Sequence, residues 1–396
     1  MSLVINNIDA RVWPEIVDAL HNRYEILYWC DLGIDDLDLD LDQLYSKFKQ
    51  FENFTFAPNQ RIVILHRETD YYTVPNADGF TLWNLFKIYS ELNIPTEYTI
   101  LLTSQPTVEQ ETVRLSQSFN LPNMQAKFIP YQWLPEPKVI QPIDSNVDQI
   151  QYPYVCLNGQ PRMHRVYTLC QLHKENILSQ GMVTFHPDFL PIVHLVNNKK
   201  SLPDYRVPRG MHLRTTYPAT RINDTLILTA EQHNIYHANR PHVFFTRKHP
   251  IVEGMPWDTE DPKLRYQPAF LQQALWNVVT ETVGEYPHSF ITEKTVKAIL
   301  TKRPFIIIGG LGTLATLHRC GFRTFGHLIS ENYDQLPTVA DRIDAAVQEL
   351  KGFCNMSPGE LQDFYSEVQT ITDYNFDHYI NNFGTKGLDT FIRDVL

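Results

Sequence analysis

The sequence predicts an α/β protein with two domains, each built around a parallel sheet. Short apolar segments of strand length alternate with amphipathic segments of helical period along most of the chain. Such alternation favours parallel sheets, in which ligands bind at the carboxyl ends of the strands. The 396 residues are enough for two domains of ordinary size. A proline- and glutamine-rich stretch over 134–153 interrupts the alternation and predicts a linker.

The pattern predicts an N-terminal domain over residues 1–150 and a C-terminal domain over residues 151–375. We expect residues 376–396 to form a last helix that packs back on the N-terminal domain. The predicted strands are 24–29, 61–66, 98–102, 126–130, 154–157, 182–185 and 305–308, with a further apolar segment over 271–282. The predicted helices are 81–92, 108–119, 163–178, 339–350 and 358–371. Residues 186–265 have no clear period and predict loops or an inserted elaboration.

Composition and charge restrict the class of protein. Hydrophobic residues form 43% of the chain and aromatic residues 12%, so we expect a large core. The net charge of −11 gives no general attraction to nucleic acid or anionic lipid. The five cysteines are scattered without a Cys-x-x-Cys pair, which predicts reduced thiols in a cytoplasmic protein. We expect no membrane span and no N-terminal anchor, because no apolar stretch approaches ~18 residues.

The most informative segment begins with Thr292, Glu293 and Lys294, which predict the start of a short amphipathic helix. A carboxylate beside an ammonium group at a helix start suits a ligand with a ribose diol and a diphosphate. The carboxylate accepts from the hydroxyls, while the ammonium group and the helix N-terminus attract the phosphates. Both charges are also ordinary in the first turn of a helix, so their spacing alone leaves this interpretation open.

Two features flank this helix start. Glu281 ends a strand-like apolar run, where a buried carboxylate is costly unless it is paired. Downstream, the apolar run 305–308 predicts a buried strand that ends at Gly309 and Gly310. Both features belong to chain segments that a parallel sheet would bring to one edge.

A second cluster lies in the loop Asn158-Gly-Gln-Pro-Arg-Met-His-Arg165, between a predicted strand and a predicted helix. Arg162, His164 and Arg165 crowd the helix start, where an anion would meet backbone N–H groups and guanidinium donors. Arginine at a helix N-terminus is unfavourable for the helix dipole unless an anion lies between them. This weakens the alternative of a solvated loop with helix-flanking charges but leaves it open.

A third cluster supports a different function. Gly310, Gly312 and Ala315 fit the pattern Gly-x-Gly-x-x-Ala between a strand and a helix, which is the dinucleotide-binding fingerprint. Glu331 lies near the position, ~20 residues on, where such sites place a ribose-binding carboxylate. An NAD-dependent oxidoreductase is therefore an alternative, although the fingerprint lies late in the chain and lacks a clear second strand.

Two further patterns carry less weight. Alternating aspartates over 35–42 contain Asp-x-Asp, a metal motif of other sugar transferases, but also fit a solvated edge or a loop before a helix. His233 and His237, with His242 beyond them, have the spacing of a zinc pair, but no glutamate follows His233 directly. We interpret these histidines as loop residues and predict no metal site.

Taken together, these clusters resemble the donor-binding half of α1,3-fucosyltransferase-like glycosyltransferases over about residues 152–335. That family shows an apolar strand, an Asn, an Arg-containing loop, a helix and a second short strand. It then shows a Glu after a further apolar strand, a Thr-Glu-Lys helix start and a strand that ends near glycine. The matching segments here are 154–165, 183–185, Glu281, Ile291–Lys294 and Pro304–Gly310. Residues 321–325 and 330–334 lie outside that pattern and are similar to uncharacterised phage and large-virus glycosyltransferases.

The resemblance implies a GT-B architecture, in which two Rossmann-like domains face a cleft. It also implies roles for the matching residues. Arg165, or else Arg162, would hold the donor diphosphate, while Glu293 would accept from the ribose hydroxyls and Lys294 would neutralise phosphate. Thr292 would belong to the same donor site, and Gly309 and Gly310 would let the backbone approach the donor. Glu281 would be a carboxylate near the nucleotide and sugar, and we include it among the catalytic candidates.

We therefore expect a nucleotide diphosphate sugar, with GDP-sugar favoured, as co-substrate, and neither a cofactor nor a metal. The acceptor would be a hydroxyl of a glycan or another molecule. The family takes its general base from the N-terminal domain, where Glu68, with Asp70 behind it, follows the strand 61–66. The sequence also leaves open a transferase whose acceptor is modified DNA held in a local basic groove, and a sugar-binding module without turnover.

Overall fold

The computed structural model describes residues 14–32, 41–66, 82–103, 107–128, 140, 147–158, 162–184, 228–239, 269–282, 284, 289 and 291–382. The chain divides into two compact units. The described residues up to Phe128, with Asn381 and Asn382, fall in the first unit, and those from Ile140 to Ile380 fall in the second. The predicted boundary at residue 150 stays a prediction, as does the packing of the predicted helix over 376–396.

The first unit contains a parallel sheet in the order β1-β2-β3-β4. Its strands are β1 (Glu25–Leu32), β2 (Gln60–His66), β3 (Thr99–Thr103) and β4 (Gln125–Phe128). Its helices are α1 (Pro14–Arg23), α2 (Leu41–Phe48), α3 (Leu82–Glu91) and α4 (Val108–Phe119). Ile62 and Ile64 of β2 are fully buried beside Phe86 of α3, so the central strand forms the core of this unit.

The second unit contains a parallel sheet in the order β6-β5-β7-β8. Its strands are β5 (Tyr152–Leu157), β6 (Met182–Thr184), β7 (Ala274–Thr280) and β8 (Phe305–Ile308). Its helices are α5 (Met163–Lys174), α6 (Ala230–Asn239), α7 (Glu293–Leu300), α8 (Thr313–Arg319), α9 (Val339–Lys351) and α10 (Pro358–Asn382). The last two residues of α10, Asn381 and Asn382, fall in the first unit. Two four-stranded parallel sheets are consistent with the predicted pair of Rossmann-like domains.

The strand order of the second sheet marks where a ligand is expected. The chain places β6 on one side of β5 and then β7 on the other, so the winding reverses between β5 and β7. Ligands of open α/β sheets bind outside the carboxyl ends of the strands at this reversal. Here the two strand ends are joined by side chains, since the Thr280 hydroxyl donates to Asn158 Oδ1 at 2.6 Å. Among the described strands of the first sheet, each strand is added on the same side.

Aromatic packing holds this sheet in place. Trp276 of β7 is fully buried. Its ring lies 5.2 Å from Phe353 and 5.6 Å from Phe325, in tilted and edge-on orientations that aromatic pairs prefer. Burial of a side chain of this size contributes about 3 kcal/mol. The face of β7 that carries Trp276 is therefore fixed by packing.

Most predicted elements are confirmed, with shifts at their ends. The helix 108–119 and the strand 305–308 match α4 and β8 residue for residue. Residues 186–265, predicted as loops or an inserted elaboration, include the helix α6, whose polar sequence gives no clear helical period. That helix begins at a capping box, in which the Thr229 hydroxyl accepts from Gln232 N at 3.2 Å and Gln232 Oε1 accepts from Thr229 N at 2.8 Å.

Within the described part of the chain, no helix is both long and apolar enough to cross a membrane.

Candidate functional site

The candidate site lies at the carboxyl ends of β5 and β7, where the winding of the second sheet reverses. α5 starts just after β5, with Arg162 as its N-cap and without a side-chain hydrogen bond at that cap. The N-cap of α7, Thr292, follows Glu281 by eleven residues, and the helix itself starts at Glu293. The sheet therefore brings the start of α5, with Arg162 and Arg165, and the start of α7 to one edge.

The segment that follows β7 is held by basic side chains that bind its backbone carbonyls. Nε2 of His164 lies 2.9 Å from the carbonyl oxygen of Glu281, and Arg165 Nη2 donates to the same oxygen at 3.2 Å. Arg162 Nη1 donates to the carbonyl of Thr282 at 2.6 Å. These bonds give the carbonyls of Glu281 and Thr282 hydrogen-bond donors, and they fix the path of the backbone at the end of the sheet.

Arg342 of α9 completes this set. Its Nη2 donates to the carbonyl of Gly284 at 2.6 Å, and its Nη1 donates to Leu336 and Pro337 at 2.7 and 3.1 Å. A Cβ at Gly284 would come within 3.1 Å of His164, so the backbone lies close against α5. The strand end is thus fixed from both α5 and α9.

Two cations from different elements meet at Thr282. Arg162 donates to its carbonyl, and the Lys294 ammonium group donates to its hydroxyl at 3.0 Å. Thr282, Arg162 and Lys294 are all partly exposed. Like charges brought together at one exposed residue repel each other, and an anion between them removes that repulsion.

Arg165 lies behind this pair and is 4% exposed. Burial, and then the nearby charge of Arg162, lower the pKa of its guanidinium to about 10, against the opposing effect of Glu281 and Glu293. The group remains charged at neutral pH. It therefore adds positive potential to the site from a buried position.

The carboxylate of Glu281 is fully buried and accepts from three donors. Its Oε1 accepts from Thr292 N at 3.0 Å and from the Thr295 hydroxyl at 2.6 Å. Its Oε2 accepts a short hydrogen bond from the Thr292 hydroxyl. The carboxylate thus lies at the positive end of α7 and accepts from the N–H group of the N-cap residue, Thr292.

Glu293 and Lys294 form an ion pair at the surface, with Nζ and Oε1 3.0 Å apart and with 39% and 23% of their side chains exposed, in that order. Lys294 Nζ also contacts the Thr292 hydroxyl at 3.2 Å. Burial raises the pKa of the Glu293 carboxyl, but Lys294 and Lys297 outweigh it, so the pKa lies below its usual range. Glu293 is therefore an ionised acceptor at neutral pH.

Gly309 and Gly310 follow β8 and are buried. A Cβ at Gly309 would lie 2.7 Å from the Thr313 hydroxyl and 3.6 Å from Glu281 Cγ, so only glycine fits there without a shift. The Gly310 carbonyl accepts from the Thr313 hydroxyl at 2.7 Å. The glycine loop thus packs beside the carboxylate that caps α7.

The dinucleotide alternative meets an obstacle at α8. In that alternative the pyrophosphate would bind at the helix N-terminus. Here the buried Asp334 carboxylate takes that place, because its Oδ2 accepts from Leu314 N at 3.1 Å. Glu331 accepts from Phe325 N and the Thr324 hydroxyl at 2.6 and 2.7 Å, so its carboxylate is engaged in a loop.

Several sequence predictions concern residues that the structure does not describe. Glu68, Asp70 and His242 lie outside the described residues, as do most of the aspartates over 35–42. His233 and His237 belong to α6, so the prediction of a loop is wrong for them, but their side chains are outside the described set. Within the described residues, no group of three His, Cys, Asp or Glu side chains could hold a metal ion.

Sequence reasoning missed three residues that shape the site: Thr282, Asp334 and Arg342. Thr282 is an ordinary residue in sequence and becomes important only because Arg162 and Lys294 reach it from elements 120 and 12 positions away. Arg342 could have been noticed as an arginine in the first turn of a predicted helix, an unfavourable place without a partner. Asp334 carries no local signal of its role.

Neither a protein-family model nor a curated protein sequence matches the chain. Among solved structures, the chain is similar to a UDP-forming α,α-trehalose-phosphate synthase from Burkholderia xenovorans. The sequence identity is 7%, the match covers 90% of this chain and 78% of that chain, and the TM-score is 0.39. At these values the likeness carries no argument about function.

Proposed function

We propose that the second unit binds a nucleotide diphosphate sugar and transfers its sugar to an acceptor hydroxyl. The observation that carries this proposal is the meeting of Arg162 and Lys294 at Thr282, at the carboxyl edge of β7. Two partly exposed cations at the winding reversal of a parallel sheet suit a diphosphate. The buried guanidinium of Arg165 adds positive charge to the same site. The chain as a whole would then be a glycosyltransferase of the GT-B architecture.

The ionised Glu293 supports the nucleotide part of the proposal. Its carboxylate is partly exposed, held beside Lys294, and accepts only, so it suits the hydroxyls of a ribose. A ligand with a diol next to a diphosphate would meet both halves of the ion pair. A GDP-sugar is our favoured donor, on the resemblance of segment Ile291–Lys294 to fucosyltransferases.

In the proposed reaction the acceptor oxygen attacks the anomeric carbon while the bond from that carbon to the diphosphate oxygen breaks. Negative charge grows on the leaving diphosphate, and Arg162, Arg165 and Lys294 stabilise it from fixed positions without a metal. The proton of the acceptor hydroxyl goes to a general base, for which Glu68 stays the prediction. The acceptor would be a glycan hydroxyl.

Calorimetric titration of GDP, UDP and NAD⁺ tests the binding part, and a hydrolysis screen across nucleotide sugars tests turnover. Arg162→Gln should weaken binding of the nucleoside diphosphate about tenfold, since it removes a charge-assisted hydrogen bond. Arg114→Gln is the matched control, because Arg114 pairs with Glu111 on α4 at 2.7 Å. Equal nucleoside diphosphate affinities of Arg162→Gln and Arg114→Gln would contradict the proposed binding site.

The rival functions give different results in the same experiments. Binding of NAD⁺ without binding of GDP or UDP would favour the oxidoreductase. Nucleotide binding without turnover of any donor would favour a sugar-binding module. A shift of duplex DNA in a gel that weakens with salt would favour a modified-DNA acceptor.

A further inference from the structure

We infer that Glu281 is a positioning residue, whose carboxylate fixes the start of α7 and thereby holds Glu293 and Lys294 in place for the nucleotide. The inference rests on the proposed function. It gives Glu281 a role other than the catalytic one that the family resemblance implies.

Glu281 is unsuited to proton transfer from an acceptor. Both carboxylate oxygens are occupied, by donors from Thr292 and Thr295. The residue is 0% exposed, so an acceptor hydroxyl does not reach it. A general base needs to lie within hydrogen-bond distance of the proton that it removes. The position of Glu281 beneath α7 excludes this contact.

The same hydrogen bonds organise the first turn of α7. A helix start has N–H groups without partners inside the helix, and Glu281 accepts from one of them, Thr292 N. The Thr292 hydroxyl donates to Glu281 and accepts from Lys294, both from its backbone N–H at 3.3 Å and from Nζ at 3.2 Å. The order of contacts therefore runs from Glu281 through Thr292 to the Lys294 ammonium group.

The backbone of Glu281 connects this turn to the start of α5. Its carbonyl accepts from His164 and Arg165 of α5, while its side chain accepts from α7. One residue thus sets the distance between the two sources of positive charge. Loss of the carboxylate should loosen α7 relative to α5 and weaken the grip on a diphosphate that contacts both.

Glu281→Gln tests this role, because it keeps the size of the side chain but turns one acceptor oxygen into a donor that faces donors. Hydrogen exchange of residues 291–296 should become faster than in the wild type, since Thr292 and Thr295 lose one of the acceptor oxygens that hold them. Affinity for GDP, or for UDP if UDP binds the wild type better, should fall about tenfold. The pH profile of turnover should keep its shape, while KM for the donor rises more than kcat falls.

Thr295→Val gives an independent variant in case Glu281→Gln fails to fold. It removes one donor to Glu281 Oε1 without changing the shape of a residue that is itself 0% exposed. It should change exchange and affinity in the same direction by a smaller factor. In the double variant, the two effects should be less than additive, because both act through the same carboxylate.

Glu331→Gln is the matched control. Glu331 also accepts from a threonine hydroxyl and a backbone N–H, but in the loop before α9. It should leave nucleotide affinity unchanged. Unchanged exchange and affinity in Glu281→Gln, or an equal loss of affinity in Glu331→Gln, overturn the positioning role. So does loss of one limb of the pH profile with unchanged exchange, which would identify a catalytic base. A wild type that binds no nucleoside diphosphate overturns the proposed function and this role with it.

Discussion

Replacement of Lys294 by methionine is the perturbation that most sharply separates a binding role from a surface role. The substitution keeps the length of the side chain and removes one positive charge at Thr282. A charge pair 4 Å apart is worth between about 1 kcal/mol in water and about 4 kcal/mol near a protein surface. Lys294 has 23% of its side chain exposed, and Glu293 already neutralises part of its charge, so the lower part of that range applies.

We therefore expect Lys294→Met to cost about 1.5 kcal/mol of nucleoside diphosphate affinity, or about tenfold in Kd. Calorimetric titration of GDP at two salt concentrations measures the effect. The loss should shrink at high salt, because salt screens a partly exposed charge. Without the lysine, the pKa of the Glu293 carboxyl should also rise toward its usual value.

Lys351→Met is the control for this experiment. Lys351 pairs with Glu175 at 2.8 Å and is 46% exposed on α9, so it matches Lys294 as a lysine in an ion pair. Its replacement should leave Kd unchanged within error. The same Kd for Lys294→Met and wild type would show that the diphosphate does not interact with the charge of Lys294 at Thr282.

Two further predictions concern the glycine loop and α8. Gly309→Ala should destabilise the fold by about 1–3 kcal/mol in thermal unfolding, because the new Cβ would lie 2.7 Å from the Thr313 hydroxyl. Gly359→Ala, in a helix with nothing within 4 Å of the new Cβ, should instead be neutral or stabilising. Burial raises the pKa of the Asp334 carboxyl despite opposing N–H groups of α8, so the folded chain binds this proton more tightly than the unfolded chain. The wild type should therefore lose stability relative to Asp334→Asn as the pH rises from about 4 through the folded pKa, and parallel denaturation curves across that range would contradict this.

The elements that the sequence predicted well are those whose pattern is local. β8 is a run of four buried apolar residues after a proline, and α7 begins with an N-cap threonine followed by an apolar stripe. Such patterns depend on neighbours within one or two turns. The predicted helix 358–371 was confirmed but too short, because α10 continues to Asn382 through buried residues such as Phe376 and Tyr379.

The parts of the site that the sequence could not predict depend on distant contacts. The three donors to the Glu281 carboxylate are eleven and fourteen residues away, and the Arg342 bond to Gly284 spans 58 residues. No periodicity encodes such contacts. The sequence predicted correctly that Glu281 is a buried carboxylate that needs partners. Only the structure shows that Thr292 and Thr295 donate hydrogen bonds to it. Glu68 lies outside the described residues, so the choice of general base stays a prediction.

Hydrogen exchange of the wild-type protein with and without saturating GDP locates the nucleotide without any substitution. We expect slower exchange at residues 162–166 and 291–296, on the two sides of Thr282, with little change in the sheet of the first unit. Protection confined to the α8 start at residues 313–315, or no protection of either segment at a GDP concentration that saturates binding, would contradict this expectation.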